Sequence, residues 1–269
     1  IDVSYHQGTI DWEKVKAAGI QFAMLRAGFG KNTLDEEFQR NAKGCGAAGI
    51  PFGVYWFSYA YTIEMARQEA ERCISAGRGY KVQYPVCFDF EYDSVRYAEQ
   101  NGVRVTKTLA SQLTEAFCQR VEELGYFAMF NSNRDYLERM FSDELREKYA
   151  LWYAQYASLP SVSGIGMWQY RDNGRVNGIQ GNVDMDIAYE DFARVISKAG
   201  LNNLKKIEST PESATPEPND VIRYVVQRGD TLGRIAKRHN VTVERLISYN
   251  HLTDPNRIFP GEVLYIPHG

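Results

Sequence analysis

Two carboxylates, Asp89 and Glu91, lie two residues apart at the end of the apolar and aromatic segment 84–92. If this segment is a strand, both acids point to one side, roughly 6–7 Å apart at Cα, while Phe88 and Phe90 point to the layer that covers the strand. Neighbouring acids with little solvent repel each other, which raises the pKa of at least one. A proton-holding carboxyl beside an ionised one is what cleavage of a glycosidic bond requires. From this segment alone, a sheet edge whose acids simply reach solvent is an equal alternative.

The composition of the 269-residue chain excludes several classes of protein. Its hydrophobic fraction of 44% suits one large domain and one small domain. A formal net charge of -3 argues against a dedicated nucleic-acid-binding protein. No run approaches the roughly 18 apolar residues of a membrane span. The 18 tyrosines and 4 tryptophans favour surfaces that stack on a ligand, and sugars are natural candidates.

The cysteines predict neither a disulfide framework nor a metal site. They show no CxxC spacing and have no histidine at zinc-ligand spacing, so we expect all of them to be small core residues: Cys45, Cys73, Cys87 and Cys118. The acid cluster is an alternative site for a hard cation, but no Gly-punctuated loop of oxygen ligands accompanies it. We therefore expect no cofactor and no metal.

Strand-like and helical patterns alternate through the first 200 residues and predict an α/β fold. The predicted strands are 1–5, 22–27, 52–57, 86–91, 127–130, 151–155, 166–170 and 183–188, and the predicted helices are 11–18, 36–48, 63–76, 108–124, 135–149 and 191–198. Eight strands of this kind predict a closed barrel. The connections 157–165 and 171–182 are too short for a helical crossover, so we expect antiparallel neighbours at both places. The expected fold is an irregular (β/α) barrel with antiparallel late strands.

A closed barrel brings further acids to the Asp89–Glu91 pair. Asp2 lies on the first strand, and Asp184 and Asp186 lie on the last, which is its neighbour in a barrel. Barrel enzymes place their chemistry at the carboxyl ends of the strands, where aromatic residues gather in this sequence. The side chains expected to contact a sugar are Tyr55, Tyr92, Asn131, Trp152, Gln155 and Trp168. A carbohydrate-cleaving cleft is therefore favoured over a solvated edge.

Several of these residues have a second interpretation. Core packing is an equal alternative for Trp152, and Asn131 could instead cap the helix that follows it. Arg26 and Arg171 fit either a contact with substrate or a counter-charge for the acids.

The last quarter of the chain predicts a linker and a small binding unit. Residues 201–221 are rich in proline and charged residues without apolar periodicity, which is typical of a linker. Residues 222–269 predict a β-α-α-β unit, too small for more than a thin core, so we expect it to bind and not to catalyse. Residues 223–269 carry a net charge of about +3 and residues 1–200 about -4. A basic tail suits attachment to an anionic polymer such as a bacterial wall.

These residues resemble two known families. Residues 1–192 are similar to glycoside hydrolase family 25, the Chalaropsis-type lysozymes or N-acetylmuramidases. The matching segments are Asp2-Val3-Ser4, Ile10-Asp11-Trp12, Gly53-Val54-Tyr55, Phe88-Asp89-Phe90-Glu91, 151–156, Trp168-Gln169-Tyr170 and Gly181-Asn182-Val183-Asp184. Residues 223–267 resemble a LysM module through Tyr224-Val225-Val226, Gly229-Asp230-Thr231-Leu232, Ile235-Ala236, the region of Asn250 and 260–264.

The resemblance implies hydrolysis of the β-1,4 bond between N-acetylmuramic acid and N-acetylglucosamine in bacterial peptidoglycan, outside the cell or in its wall. It implies Glu91 as general acid/base, Asp89 as its partner, and Asp2 and Asp184 as the rest of an acidic ring. Asp186 stands where the family often has Asn, so it is left out of the expected catalytic set. In the LysM module it implies glycan contacts by Gly229, Asp230, Thr231, Leu232, Asn256, Arg257 and Ile258. The implied division is a catalytic domain at 1–200, a linker at 201–221 and a glycan-binding domain at 222–269.

Other functions fit the same residues. One is a wall-binding protein without catalysis, and another is a chitinase-like hydrolase. Asp89 could attack the sugar, activate water or orient the acetamido oxygen of the substrate; we favour the last, with retention of configuration, because the substrate carries that group. Both a phage endolysin and a secreted autolysin fit the sequence.

Overall fold

Eight strands form a closed barrel in the first of the two units into which the chain divides. This computed structural model describes residues 1–204, 221–226, 230–250 and 263–267. The barrel strands are β1 (Asp2–Val3), β2 (Ala23–Phe29), β4 (Phe52–Phe57), β5 (Val82–Asp89), β6 (Ala128–Asn133), β7 (Ala150–Ala154), β8 (Met167–Gly174) and β9 (Val183–Ala188). The short β3 (Thr33–Leu34) extends β2 as a hairpin. Because β1 pairs with both β2 and β9, the sheet closes.

The strand directions confirm one of the two expected antiparallel pairs and correct the other. β8 and β9 are antiparallel, as predicted. β7 and β8 are parallel, with Trp152 opposite Met167, so the expectation for this pair was wrong. About a dozen residues are enough for a crossover between parallel strands, and the connection 155–166 reaches that length without a helix.

Helices surround the barrel: α1 (Trp12–Ala17), α2 (Phe38–Ala47), α3 (Ile63–Gly77), α4 (Tyr92–Gln100), α5 (Lys107–Glu123), α6 (Arg134–Arg139), α7 (Asp143–Lys148) and α8 (Phe192–Ala199). The sequence patterns missed α4 and merged α6 with α7. α5 begins where the Thr106 hydroxyl accepts the Leu109 N–H at 3.1 Å, and its apolar stripe is buried. The Phe117 ring on this stripe lies 4.9 Å from the Phe88 ring, which confirms that Phe88 points to the covering layer.

The barrel interior is filled by large side chains and by one of the cysteines. Met24, Cys87, Met129, Trp152 and Met167 pack there, each at most 2% exposed. All four cysteines of the chain are buried and unpaired, as the sequence predicted. Burial raises the pKa of Cys45 to about 12, so these thiols are inert at neutral pH.

The first unit extends beyond α8. The buried side chain of Asn202 donates to the carbonyls of Val82 and Tyr84 at 3.2 and 3.0 Å and accepts the Phe127 N–H at 2.8 Å. The chain that the sequence assigned to the start of a linker is therefore bound to the barrel up to residue 204. None of the helices in the described parts of the chain has the length and apolar character that a membrane span requires.

The second unit has the expected β-α-α-β order. Its elements are β10 (Val221–Val225), α9 (Leu232–Arg238), α10 (Val243–Tyr249) and β11 (Val263–Pro267), and the two strands are antiparallel. Leu232, Ile235, Leu246 and Leu264 form its small core, each at most 3% exposed. Asn250 connects α10 to the last strand, because its amide bonds both the N–H and the C=O of Tyr265, at 2.6 and 2.9 Å.

Candidate active site

Asp89 and Glu91 lie at the mouth of the barrel, but not on one strand. β5 ends at Asp89, and Glu91 is the residue that caps α4. The hydroxyl of Ser94 accepts the Glu91 backbone N–H at 3.0 Å and so fixes the start of this helix. The strand predicted to run through Glu91 therefore stops two residues earlier, because Ser94 supplies the local bond that begins a helix.

Burial raises the pKa of both carboxyls. For Glu91 burial is the largest cause and the charge of Asp93 is the second, where the sequence had suggested Asp89. For Asp89 burial again comes first; the charge of Glu91 adds to it and the charge of Arg26 opposes it, and the pKa lies well above its usual range. Oδ1 of Asp89 is buried and has no hydrogen-bond partner in the described part of the chain. The pair can hold a proton near neutrality and offers one unfilled acceptor.

Asp2 and Asp184 belong to the same acidic cluster. They are opposite each other where β1 pairs with β9, and Gln169 Nε2 donates to Asp2 Oδ2 at 2.8 Å. Burial, followed by the charges of Asp186 and Asp184, raises the pKa of Asp2 well above its usual range. Burial, followed by neighbouring charges that include Asp186 and Glu91, raises the pKa of Asp184 to about 6. The structure thus brings all four predicted catalytic carboxyls into electrostatic contact.

Asp186, set aside on the sequence, is a fifth acid of this cluster. It is buried in the barrel interior, and Trp152 Nε1 donates to its Oδ1 at 2.8 Å. Its position two residues after Asp184 on β9 was a usable signal, since alternate residues of a strand share one face.

Arg26 is a counter-charge for the acids. Its Nε donates to Asp35 Oδ2 at 2.9 Å, and Asp35 also accepts the backbone N–H of Tyr5 at 3.0 Å. The guanidinium lies over the Tyr5 ring, 4.7 Å from its centroid. One guanidinium nitrogen, Nη2, is buried without a hydrogen-bond partner among the described residues. No sequence pattern indicated Asp35, whose role depends on the fold of the loop that carries it.

The three large rings expected to contact sugar lie in the core. Trp152 and Trp168 are each 2% exposed, and the indole N–H of Trp168 bonds the carbonyl of Gln155 at 2.9 Å. Neither ring presents a face to solvent, so Trp152 follows the alternative of core packing, and the expected stacking of a sugar on Trp168 is corrected to core packing. Tyr55 is also buried and packs edge-on against Trp152 at 5.7 Å. The charges of Asp2 and Asp89 act on its hydroxyl, which is therefore near the acids.

The remaining expected sugar contacts differ in exposure. Tyr92 is 52% exposed, whereas Asn131 is buried on β6. The alternative in which Asn131 caps the next helix is wrong, because Asn133 caps α6 by accepting the Tyr136 N–H at 3.0 Å. Gln155 is partly buried directly after β7.

Tyr156 is an exposed ring at the mouth that the predicted set omitted. It is 57% exposed, and its hydroxyl bonds Gln169 Oε1 at 3.3 Å. After burial, the charge of Asp184 is the main cause that raises the pKa of its hydroxyl, which places that hydroxyl beside the acids. Its position two residues after the end of β7 was the available signal.

Glu69 is a buried carboxyl behind the mouth that sequence reasoning missed. Its two oxygens accept the Ser58 hydroxyl at 2.5 Å and the Tyr59 N–H at 3.0 Å, and the Ser58 N–H donates to the Asp89 carbonyl at 2.8 Å. Burial raises its pKa to about 8. Glu69 therefore fixes the end of β4 against the strand that carries Asp89. Its position on the apolar face of α3, beside Ala66 and Ala70, was the available signal.

The predicted glycan contacts of the second unit have structural roles where they are described. Asp230 accepts the Tyr224 hydroxyl at 2.5 Å, and Thr231 caps α9 by accepting the Arg234 N–H at 3.3 Å. Leu232 is 3% exposed, so its side chain belongs to the core, and a glycan contact by the backbone of this loop stays a prediction. The other expected contacts, Gly229, Asn256, Arg257 and Ile258, lie outside the described residues.

A closed α/β barrel whose mouth holds carboxyls of raised pKa has the groups that glycoside hydrolysis uses. The family model described as "Glycosyl hydrolases family 25" matches residues 1–179, and the chain belongs to this family. A second model, "LysM domain", matches residues 224–267. Both resemblances drawn from the sequence are confirmed.

Known proteins support the same classification. Lysozyme M1 of Streptomyces globisporus is 27% identical over 209 residues, which cover 74% of this chain and 70% of that protein. The solved structure of a bacterial lysozyme from Streptomyces coelicolor superposes with a TM-score of 0.62 at 28% identity, covering 76% of this chain and 96% of that one. The C-terminal region is 50% identical over 44 residues to N-acetylmuramoyl-L-alanine amidase XlyB of Bacillus subtilis, 16% of this chain and 14% of that protein. The chain is thus a glycoside hydrolase of the lysozyme type with a LysM domain.

Proposed function

We propose that this protein cleaves the β-1,4 bond between N-acetylmuramic acid and N-acetylglucosamine in bacterial peptidoglycan. The observation that carries the proposal is the position of Glu91, a half-buried carboxyl of raised pKa at the barrel mouth, in electrostatic contact with Asp89 and Asp184. A carboxyl that keeps its proton near neutrality can protonate the leaving oxygen of a glycoside. The names of the relatives, lysozyme M1 and a bacterial lysozyme, support a substrate in the bacterial wall.

In the proposed reaction, Glu91 donates its proton to the glycosidic oxygen as the bond to the anomeric carbon breaks. The acetamido oxygen of the same sugar forms the new bond to that carbon. Asp89 Oδ1, the acceptor without a partner, accepts a hydrogen bond from the acetamido N–H. Water then bonds the anomeric carbon as the bond to the acetamido oxygen breaks, and a proton of this water passes to Glu91. Because both displacements occur at the same carbon, its configuration is retained. Asp2 and Asp184 complete the acidic ring, and Asp184, whose pKa of about 6 leaves it largely ionised at neutral pH, stabilises the positive charge developing on the sugar.

We further propose that the LysM domain holds the enzyme on the wall through N-acetylglucosamine-containing glycan. The net charge of about +3 on residues 223–269 favours attraction to an anionic wall polymer. In this proposal the catalytic domain extends to residue 204, a linker follows it, and the protein acts outside the cell or in its wall.

Mass analysis of the products released from purified peptidoglycan tests the proposed bond. We expect new reducing ends on N-acetylmuramic acid from the parent protein and none from Glu91→Gln, with Asp93→Asn as the control that removes a neighbouring exposed acid. New reducing ends on N-acetylglucosamine would overturn the proposed bond. Binding without product would favour the non-catalytic wall protein, and equal cleavage of chitin oligomers would favour the chitinase-like hydrolase.

The stereochemistry of the product tests the mechanism separately. Proton NMR during the first turnovers should show the β-anomer, which later mutarotates. Initial formation of the α-anomer would exclude assistance by the acetamido group while leaving the proposed bond intact.

A further inference from the structure

We propose that Tyr59, Tyr61 and Tyr97 form a second sugar-binding surface, which the glycan strand reaches after it leaves the acidic mouth. We call these three residues the outer tyrosine surface. The inference rests on the proposed function, since its ligand is a longer stretch of the same polysaccharide.

The three rings form one continuous group that starts at the mouth. The centroids of Tyr59 and Tyr97 are 4.9 Å apart, and those of Tyr61 and Tyr97 are 6.2 Å apart. On the other side, the Tyr59 ring lies 5.4 Å from the ring of Phe57, which ends β4 and pairs with Asp89. A chain of rings therefore extends outward from the strand pair that carries Asp89.

The rings of the outer tyrosine surface are more exposed to solvent than the rings packed in the core. Tyr97 is 38% exposed, and Tyr59 and Tyr61 are partly exposed, whereas Phe88 and Phe117 are fully buried. An exposed aromatic group rimmed by polar atoms is typical of a binding surface.

The protein holds this surface in place relative to the acids. The Tyr59 backbone N–H is bonded to Glu69 at 3.0 Å, and its ring lies so close to Gly30 that a Cβ there would approach it to 2.9 Å. Tyr97 is on α4, the helix that Glu91 caps. It lies six residues after Glu91, which corresponds to about 9 Å along a helix axis. The proposed acid and the outer ring thus share one rigid element.

The chemistry of the surface fits an uncharged sugar ring. The C–H face of a pyranose packs on an aromatic ring, and its hydroxyls bond phenol oxygens. The nearest charged groups on α4, Asp93 and Arg96, form an ion pair with each other. The surface therefore offers no net charge to select an anionic stem peptide, and the continuity with the mouth favours the glycan strand as occupant.

Kinetics on substrates of two lengths test this inference with the full chain. The substrates are peptide-free glycan strands and a tetrasaccharide of the same repeat, and the variants are Tyr97→Ala and Tyr97→Phe. The control is Tyr80→Ala, which removes a partly exposed tyrosine just before the amino end of β5, where its ring contacts Phe38. We expect Tyr97→Ala to raise KM for the long strands by about fivefold, the factor for ~1 kcal/mol of ring contact. The tetrasaccharide kinetics should not change, and Tyr97→Phe, which keeps the ring and loses the phenol oxygen, should raise KM for the long strands less than Tyr97→Ala does.

A binding measurement separates this inference from the proposed function. Calorimetric titration of the long strands into Glu91→Gln, with and without Tyr97→Ala, measures their affinity for the protein in the absence of catalysis. Weaker binding by the double variant supports the inference even if no product forms. Equal affinity and equal KM would overturn it while leaving the proposed cleavage intact, and an equal loss on both substrates would show that Tyr97 acts on the mouth itself.

Discussion

Trp152 donates a 2.8 Å hydrogen bond from its indole nitrogen to Asp186 Oδ1 inside the barrel. Trp152, for which sugar contact and core packing were equal expectations, therefore binds a buried carboxyl in the core. That carboxyl is one of the charges that raise the pKa of Asp2 and of Asp184. The interior of the barrel and the acidity of its mouth are thus coupled through a residue that does not face solvent.

The first prediction concerns this bond. Trp152→Phe leaves Asp186 Oδ1 buried without its indole donor, which should lower the free energy of unfolding by about 1–3 kcal/mol. KM for a tetrasaccharide should remain within twofold of the parent value. Urea unfolding and steady-state kinetics measure the two effects, with Trp168→Phe as a control that frees only a backbone carbonyl. A raised KM at unchanged stability would restore Trp152 as a sugar contact.

The second prediction concerns the pH dependence of cleavage. The charge of Asp93 adds to burial in raising the pKa of Glu91. Glu91 must carry its proton, so kcat/KM falls as pH rises through that pKa. Asp93→Asn lowers the pKa of Glu91 and should therefore move the alkaline limb of the kcat/KM profile to lower pH. The shift should be a fraction of a pH unit, because Asp93 is exposed and paired with Arg96. Glu99→Gln, at an exposed position of the same helix, should leave the limb in place; a shift to higher pH in Asp93→Asn would contradict the assignment.

The third prediction concerns Glu69, whose pKa is raised from the ordinary 4.5 to about 8 by burial. Between these pH values the folded protein keeps a proton that the unfolded chain loses. Raising the pH therefore destabilises the fold, by about 1.4 kcal/mol per pH unit for one such group. Glu69→Gln keeps an acceptor for Tyr59 and should flatten the dependence. Urea unfolding at several pH values measures it, and Glu71→Gln, exposed on the same helix, should retain the parent slope.

The fourth prediction concerns Asn250 in the LysM domain. Asn250→Ala removes both bonds to the Tyr265 backbone. We expect a loss of about 1–3 kcal/mol in the stability of this small unit. Binding to purified walls should fall while hydrolysis of a tetrasaccharide stays unchanged. Asn250→Asp keeps the acceptor for the Tyr265 N–H and should show an intermediate loss. A parallel loss of tetrasaccharide hydrolysis would contradict independent roles for the two domains.

The fold was largely predictable because its signals are periodic. The apolar stripe of α5, the buried strand before Asp89 and the β-α-α-β order of the tail each follow from spacing alone. The end of β5 was not predictable from spacing, because a single hydrogen bond to the Ser94 hydroxyl makes Glu91 the start of a helix. The parallel pairing of β7 with β8 escaped prediction since an extended crossover has no sequence signature of its own.

The site was predictable in its acids and less so in its rings. Asp2, Asp89, Glu91 and Asp184 follow from strand ends and from closure of the barrel. The exposure of a ring depends on which neighbours cover it, and spacing does not report that. Trp168 was therefore placed wrongly, the choice between sugar contact and core packing stayed open for Trp152, and Tyr156 and Glu69 were left out of the predicted set.

Asp2 and Asp184 face each other only where β1 pairs with β9, although 181 residues separate them along the chain. A polypeptide still emerging from the ribosome has the first acid long before the last one. In our proposal the acidic ring is complete only once β9 has been synthesised and inserted beside β1. A chain that stops before β9 therefore lacks Asp184 and the strand that closes the sheet against β1.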